Sequence, residues 1–173
     1  NTVFGYLAGE DIASGGINNT LIGNQAGNQT TYGITTGTSN TAVGADTFGG
    51  SAGAHITGSY NTAVGGNALT AAQGAVNKNT AIGYNSMTSI TTGTLNVAVG
   101  AYALDAATTA TDACIAIGVN AMGGAISSAD LDGVVAIGYN AASSALTADA
   151  SHLVAIGHSA GYGNTSGRYN VFM

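Results

Sequence analysis

The chain has 173 residues, enough for one ordinary domain. Its net charge is −6 and its only basic residues are Lys78 and Arg168, so it lacks the cations that nucleic acid or an anionic membrane surface would need. Charged residues make up 6% of the chain, against roughly 25% in a typical soluble domain. Its sides are therefore expected to be covered by other chains, or coated with Asn, Thr and Ser.

The sequence opens on Asn1-Thr2-Val3-Phe4-Gly5, and close variants of Asn-Thr-Ala-Val-Gly return along its whole length. The motif glycines are Gly5, Gly23, Gly44, Gly65, Gly83, Gly100, Gly118, Gly138 and Gly157, at intervals of 17–21 residues, and a tenth copy begins at Asn170. Aligned as columns, the first position reads Asn1, Asn19, Asn40, Asn61, Asn79, Asn96, Cys114, Val134, Leu153 and Asn170. The second is β-branched throughout, from Thr2, Thr20, Thr41, Thr62 and Thr80 to Val97, Ile115, Val135, Val154 and Val171. The third is Ala from Ala42 to Ala155. The fourth is apolar, including Val64, Ile82, Ile117, Ile137 and Ile156. A small residue follows three places after each Gly, as in Ala8, Ala26 and Ala68.

β-Branched side chains favour strands, and positions two apart share a strand face. The second and fourth columns, bulky in nearly every copy, are expected to face the core, with the Ala column pointing outward. Seven Ala without a charge then imply close contact with another surface, either a second strand of the same coil or, preferably, another chain. The glycine after column four ends or bends each strand. Gly16, Gly37, Gly58, Gly93 and Gly167, three residues before the first column, mark a second turn, where positive φ is expected.

A repeat near nineteen residues with one short strand per copy is one coil of a solenoid, and identical columns then stack into ladders. Asn over Asn lets the amides bond up and down the stack. The expected fold is all-β, a parallel β-solenoid of about nine to ten coils, roughly 43 Å long at ~4.8 Å per coil. A coil this thin has a poor core, which favours a homotrimeric rod. The whole of 1–173 reads as one repetitive segment. Both ends cut through a repeat without a polar cap, so it is expected to belong to a longer fibre.

Asn61–Gly65, Ile115–Gly118 and Val135–Gly138 resemble the head repeats of YadA-type trimeric autotransporter adhesins, and Val154-Ala155-Ile156-Gly157-His158-Ser159-Ala160 is similar to their Ser-Val-Ala-Ile-Gly-x-x-Ala motif. The resemblance implies a left-handed β-roll of three chains on a cell surface, binding host matrix or glycans. Asn19–Gly27 also resembles repeats of phage tail fibres. The spread of coil lengths departs from the uniform adhesin heads and leans towards the phage type. The expected role is a structural and adhesive fibre: a homotrimer, extracellular on a virion or bacterial surface, contacting a host glycan or protein receptor, without membrane insertion of this segment.

Chemistry is sparse. His55, His152 and His158 lack zinc-ligand spacing, and neither a nucleophile elbow nor a phosphate loop is present, so no enzyme, cofactor or metal site is expected. Cys114 has no disulfide partner and reads as a small buried hydrophobe. Asp130, Asp132 and Asp149 read as solvated loop residues, with Ca²⁺ binding the sharper alternative. Tyr6, Tyr84, Tyr139 and His158 share the column after the Gly and are the expected receptor contacts, together with the long loop near 45–60. The row Thr2 to Thr80 suggests an ice-binding face, but its replacement by apolar residues from Val97 onward is expected of an inward column. A polysaccharide depolymerase spike is the remaining alternative.

Overall fold

A computed structural model describes residues 1–28, 34–49, 55–72, 74–108, 111–126 and 131–173. The chain winds into a parallel β-solenoid of about eight turns. Its strands are β1 (Thr2–Phe4), β2 (Thr20–Ile22), β3 (Thr41–Val43), β4 (Thr62–Val64), β5 (Val76–Asn77), β6 (Thr80–Ile82) and β7 (Gly93–Thr94). They continue with β8 (Val97–Val99), β9 (Thr111–Asp112), β10 (Ile115–Ile117), β11 (Leu131–Asp132), β12 (Val135–Ile137), β13 (Val154–Ile156) and β14 (Val171–Phe172). Ten of them form one sheet in the order β1-β2-β3-β4-β6-β8-β10-β12-β13-β14, and two shorter parallel pairs, β5–β7 and β9–β11, line the wall that leads into it. Among the described residues the sole helical turn is a 3-10 turn at Ala148–Ala150.

The repeat sets the register. Thr62 pairs with Thr80, Ala63 with Ala81 and Val64 with Ile82, and the same column-on-column pairing holds from β1 to β14. The motif glycines stack because each sits against the next coil's backbone: at Gly65 (φ +128°) a Cβ would lie 2.6 Å from the carbonyl oxygen of Gly83. The Asn ladder forms as expected. Asn61 donates from Nδ2 to Asn40 Oδ1 (3.0 Å) and to the Val76 carbonyl (2.7 Å). Its own Oδ1 accepts the Asn79 backbone N–H (3.0 Å) and the Asn79 amide (3.3 Å).

The two faces of the main sheet are reversed from the sequence expectation. The Ala column is the inner one: Ala42, Ala63, Ala81, Ala98, Ala116, Ala136 and Ala155 are fully buried. Thr62 and Val64 are half-buried on the outer face, and Ile82, Ile117 and Ile156 are 39%, 37% and 43% exposed. The physical reason lies across the coil. The opposite side supplies large buried residues, Phe48, Leu69, Met87, Leu104 and Met122, with Ile34, Ile56, Ile90, Ile126 and Leu146. The space left against the sheet then holds only a methyl group, as close packing demands.

The exceptions confirm the volume rule. Where the inner column is Leu21, the facing position is Gly27, and a Cβ there would lie 2.6 Å from Leu21 Cδ1. Near the last strand Phe172 sits over Gly161 in the same way, 3.2 Å from where its Cβ would be. Large and small trade places while the total volume is kept.

The second turn also differs from expectation. Gly93 and Gly167 have positive φ, but Gly16, Gly37 and Gly58 do not. At Gly37 a Cβ would lie 2.5 Å from the Gly58 carbonyl oxygen, so close approach selects glycine there. Positive φ falls instead on the residue just before column one: Asn18, Ser39, Tyr60, Lys78, Leu95, Ala113, Gly133, His152 and Tyr169, with φ between 54° and 65°.

Candidate interaction surface

The outer face of the main sheet is built by columns two and four. In β2, β3, β4 and β6 it alternates Thr with Ile or Val; from β8 onward it is wholly apolar, with Val97, Val99, Ile115, Ile117, Val135, Ile137, Val154 and Ile156. A strand has two faces, and here the small one is needed inside. The bulky β-branched residues are thereby displayed in rows at ~4.8 Å spacing. From β8 to β13 these rows make one contiguous apolar face, half-buried to exposed on this chain.

Of the four expected contact residues, the structure brings two together. Tyr139 and His158 stack on successive coils, ring centroids 5.2 Å apart and 20° between planes. Tyr84 pairs edge-on with Tyr102 of the next coil instead, at 5.6 Å. Three strand steps separate β6 from β12, so Tyr84 stands ~14 Å along the axis from Tyr139. Tyr6 stands in the first coil, 71% exposed, four strand steps or ~19 Å from Tyr84. The long loop near 45–60 lies in part, at 50–54, outside the described residues.

A second exposed row, not read from the sequence, runs along the positive-φ corner. His152 stacks on Tyr169 there, 5.0 Å between centroids. Further down the same corner Tyr60, Lys78 and Leu95 follow on three successive coils, all exposed. With Asn77 and Thr94 of the β5–β7 pair they line a surface recess of about 370 Å³. The signal was present: these residues all immediately precede column one. Their mixed chemistry hides the shared backbone conformation.

Side chains one position earlier form another ladder. Asn77 Oδ1 accepts the Ser59 N–H (2.8 Å), and Asp112 Oδ1 accepts the Thr94 N–H (2.6 Å) and the Thr94 hydroxyl (3.0 Å). Asp112 and Asp132 are in register on β9 and β11. Of the expected calcium alternative, Asp130 lies outside the described residues, and Asp149 lies 4.0 Å from Arg168 in an exposed ion pair. Among the described residues, no three His, Cys, Asp or Glu side chains are grouped to hold a metal ion.

Cys114 is fully buried in column one, its Sγ 3.5 Å from the carbonyl oxygens of Asp112 and Leu131. Burial pushes its thiol up to about 11, with the carboxylates of Asp132 and Asp112 adding to the shift. Burial likewise raises the Asp105 carboxyl. Among the described residues, no helix is long and apolar enough to cross a membrane. No protein-family model matches the chain, and neither curated proteins nor solved structures yielded a match to it. The likeness to adhesin heads and tail-fibre repeats therefore rests on the repeat motif itself.

Proposed function

We propose that this chain is a segment of a structural and adhesive trimeric fibre, a phage tail fibre shaft or receptor-binding region, with a bacterial surface adhesin the alternative. In this reading the rod is a left-handed roll of nine to ten coils, extracellular, with three chains abreast and no catalytic site. The observation that carries it is the outer face of the main sheet. Val97 to Ile156 offer an apolar surface that one chain leaves half open, in a protein whose charge is too sparse to keep such a face solvated. Mating these faces around a common axis covers them. The corners stay outside, where the Tyr139–His158 stack and Tyr84 can meet a host glycan or protein.

Light scattering on the purified chain tests this: the expected mass is three times the 16.7 kDa chain. A stable monomer that binds no dye reporting exposed apolar surface would overturn it.

A second reading gains from the reversed faces. Thr20, Thr41, Thr62 and Thr80 stand in register on the outside of a regular sheet, so the apolar residues that follow them no longer count against an exposed ice-binding array. Thermal hysteresis from a monomer would favour that reading; its absence from a trimer would favour the fibre.

A further inference from the structure

We propose that the corner recess over Tyr60, Lys78 and Leu95 binds a sugar carboxylate, the acid group of a uronic or sialic acid. The inference rests on the attachment reading and names its ligand class. The recess of about 370 Å³ lies at the small end of the ~300–1,000 Å³ typical of ligand sites, which suits one sugar ring with the rest of a glycan in solvent. Its walls divide by chemistry. Tyr60, 62% exposed, offers an aromatic face, and Leu95, 55% exposed, an apolar one. Lys78, Asn77 and Thr94 complete the lining with polar side chains: an ammonium, an amide and a hydroxyl.

The hydrogen-bond inventory fixes what is left for a ligand. Asn77 uses its Oδ1 on Ser59 and one amide hydrogen on the Ala75 carbonyl, so its second N–H remains to donate. The Thr94 hydroxyl donates to Asp112, so its lone pairs remain to accept from a sugar hydroxyl. Lys78 is one of two basic residues in the chain; Arg168 lies against Asp149, whereas Lys78 makes no ion pair among the described residues.

Charge then orients the ligand. Asp112 lies beyond Thr94, two coils from Lys78 or ~10 Å along the axis, about one Debye length at 0.1 M salt. The carboxylate is held at the Lys78 end and the hydroxyls lie towards Thr94. The corner is pre-formed, because Tyr60, Lys78 and Leu95 are each pinned by a backbone N–H bonded to the preceding coil (3.0, 3.0 and 3.1 Å to Thr38, Ser59 and Asn77).

The test is a titration of the intact isotope-labelled chain with glucuronic acid, N-acetylneuraminic acid and glucose, followed by amide shifts. Glucuronic acid and glucose differ at the carboxylate, so at least one acid sugar is expected to bind about tenfold tighter than glucose, a difference of ~1.4 kcal/mol. The shifts should centre on Lys78 and Leu95. Lys78→Gln should abolish the preference for acid, while Tyr60→Ala should weaken acid and neutral sugars alike. Both positions are exposed, so these variants keep the fold. Whichever acid binds identifies the source of the carboxylate. Equal binding of acid and neutral sugars, shifts centred on Tyr139, an unaltered preference in Lys78→Gln, or no binding by any of the three would overturn the proposal. The mass of Lys78→Gln separates the two ideas: a trimer without sugar binding removes this site and leaves the fibre reading standing.

Discussion

The coils up to Asn96 and those from Cys114 to Leu153 share one backbone and fill it with opposite chemistry. In the first set the column-one slot holds Asn19, Asn40, Asn61, Asn79 and Asn96, each accepting the N–H of the next coil through Oδ1 at 2.9–3.0 Å. In the second set the slot holds Cys114, Val134 and Leu153, all fully buried. The outer column changes almost in step, from Thr80 to Val97. Yet β6, β8, β10 and β12 pair in unbroken register across the boundary. The Asn ladder is therefore one of two ways to fill a slot. What both halves keep is the glycine stack, the positive-φ corner and the small inner column.

The largest expected effect follows from that shared part. Gly65→Val in the polar half and Gly138→Val in the apolar half should each destabilise the fold by at least ~4 kcal/mol. Each combines a φ of 128° or 138° with a Cβ driven into the carbonyl of Gly83 or Gly157. Urea unfolding of both variants checks it. A mild effect in either half would show that the coil is not fixed by its glycines, and that the two halves differ in more than side chains.

The stacking was legible in the sequence because a fixed period with constant columns leaves few other arrangements. The facing was not. Val64 and Ile82 carry the bulk that marks a core in an ordinary sheet, and Ala63 and Ala81 do not. What decides the matter is the far wall, where Leu69 and Met87 already fill the interior. The exchange of Leu21 with Gly27 for Ala42 with Phe48 is written in the sequence, but its meaning depends on knowing that these positions face each other across the coil. The corner row was hidden differently. Tyr60 and Leu95 are unusual residues for φ of 62° and 63°, and the ladder of N–H bonds overrides their preference. Tyr6, Tyr84 and Tyr139 were rightly placed in one column, but a column spans the whole rod, and only neighbours on successive coils can act together.

A middle-sized effect is expected where the halves differ. Asn61→Leu should cost ~3 kcal/mol, because it strands the Asn79 N–H and removes a donor from the Val76 carbonyl where all three residues are buried. Leu153 occupies the same slot beside the apolar Val134 of the preceding coil, and both are fully buried. If Asn61→Leu proved neutral by urea unfolding, the ladder would be ornamental and the contrast between the halves would vanish.

The smallest effect should come from moving the boundary by one coil. In Cys114→Asn the ladder extends downward: Asn96 Oδ1 already accepts the residue-114 N–H at 3.0 Å, and the new amide meets the Leu131 carbonyl now 3.5 Å from Sγ. Stability at pH 7 should change by less than ~1 kcal/mol. The variant should also alter the response to alkali. The folded chain holds the Cys114 proton more tightly than the unfolded chain, whose thiol loses it near 9.0, against about 11 in the fold. The resulting stabilisation is fully present below pH 9 and is lost as pH rises through 9 to 11, by of order 2 kcal/mol. Asn cannot ionise, so in urea unfolding the fall in that window should be smaller for Cys114→Asn than for the parent by that amount. A variant that loses stability in parallel with the parent would place the alkaline transition elsewhere, and one that fails to fold at pH 7 would mean that the two chemistries of column one cannot meet at any coil but this one.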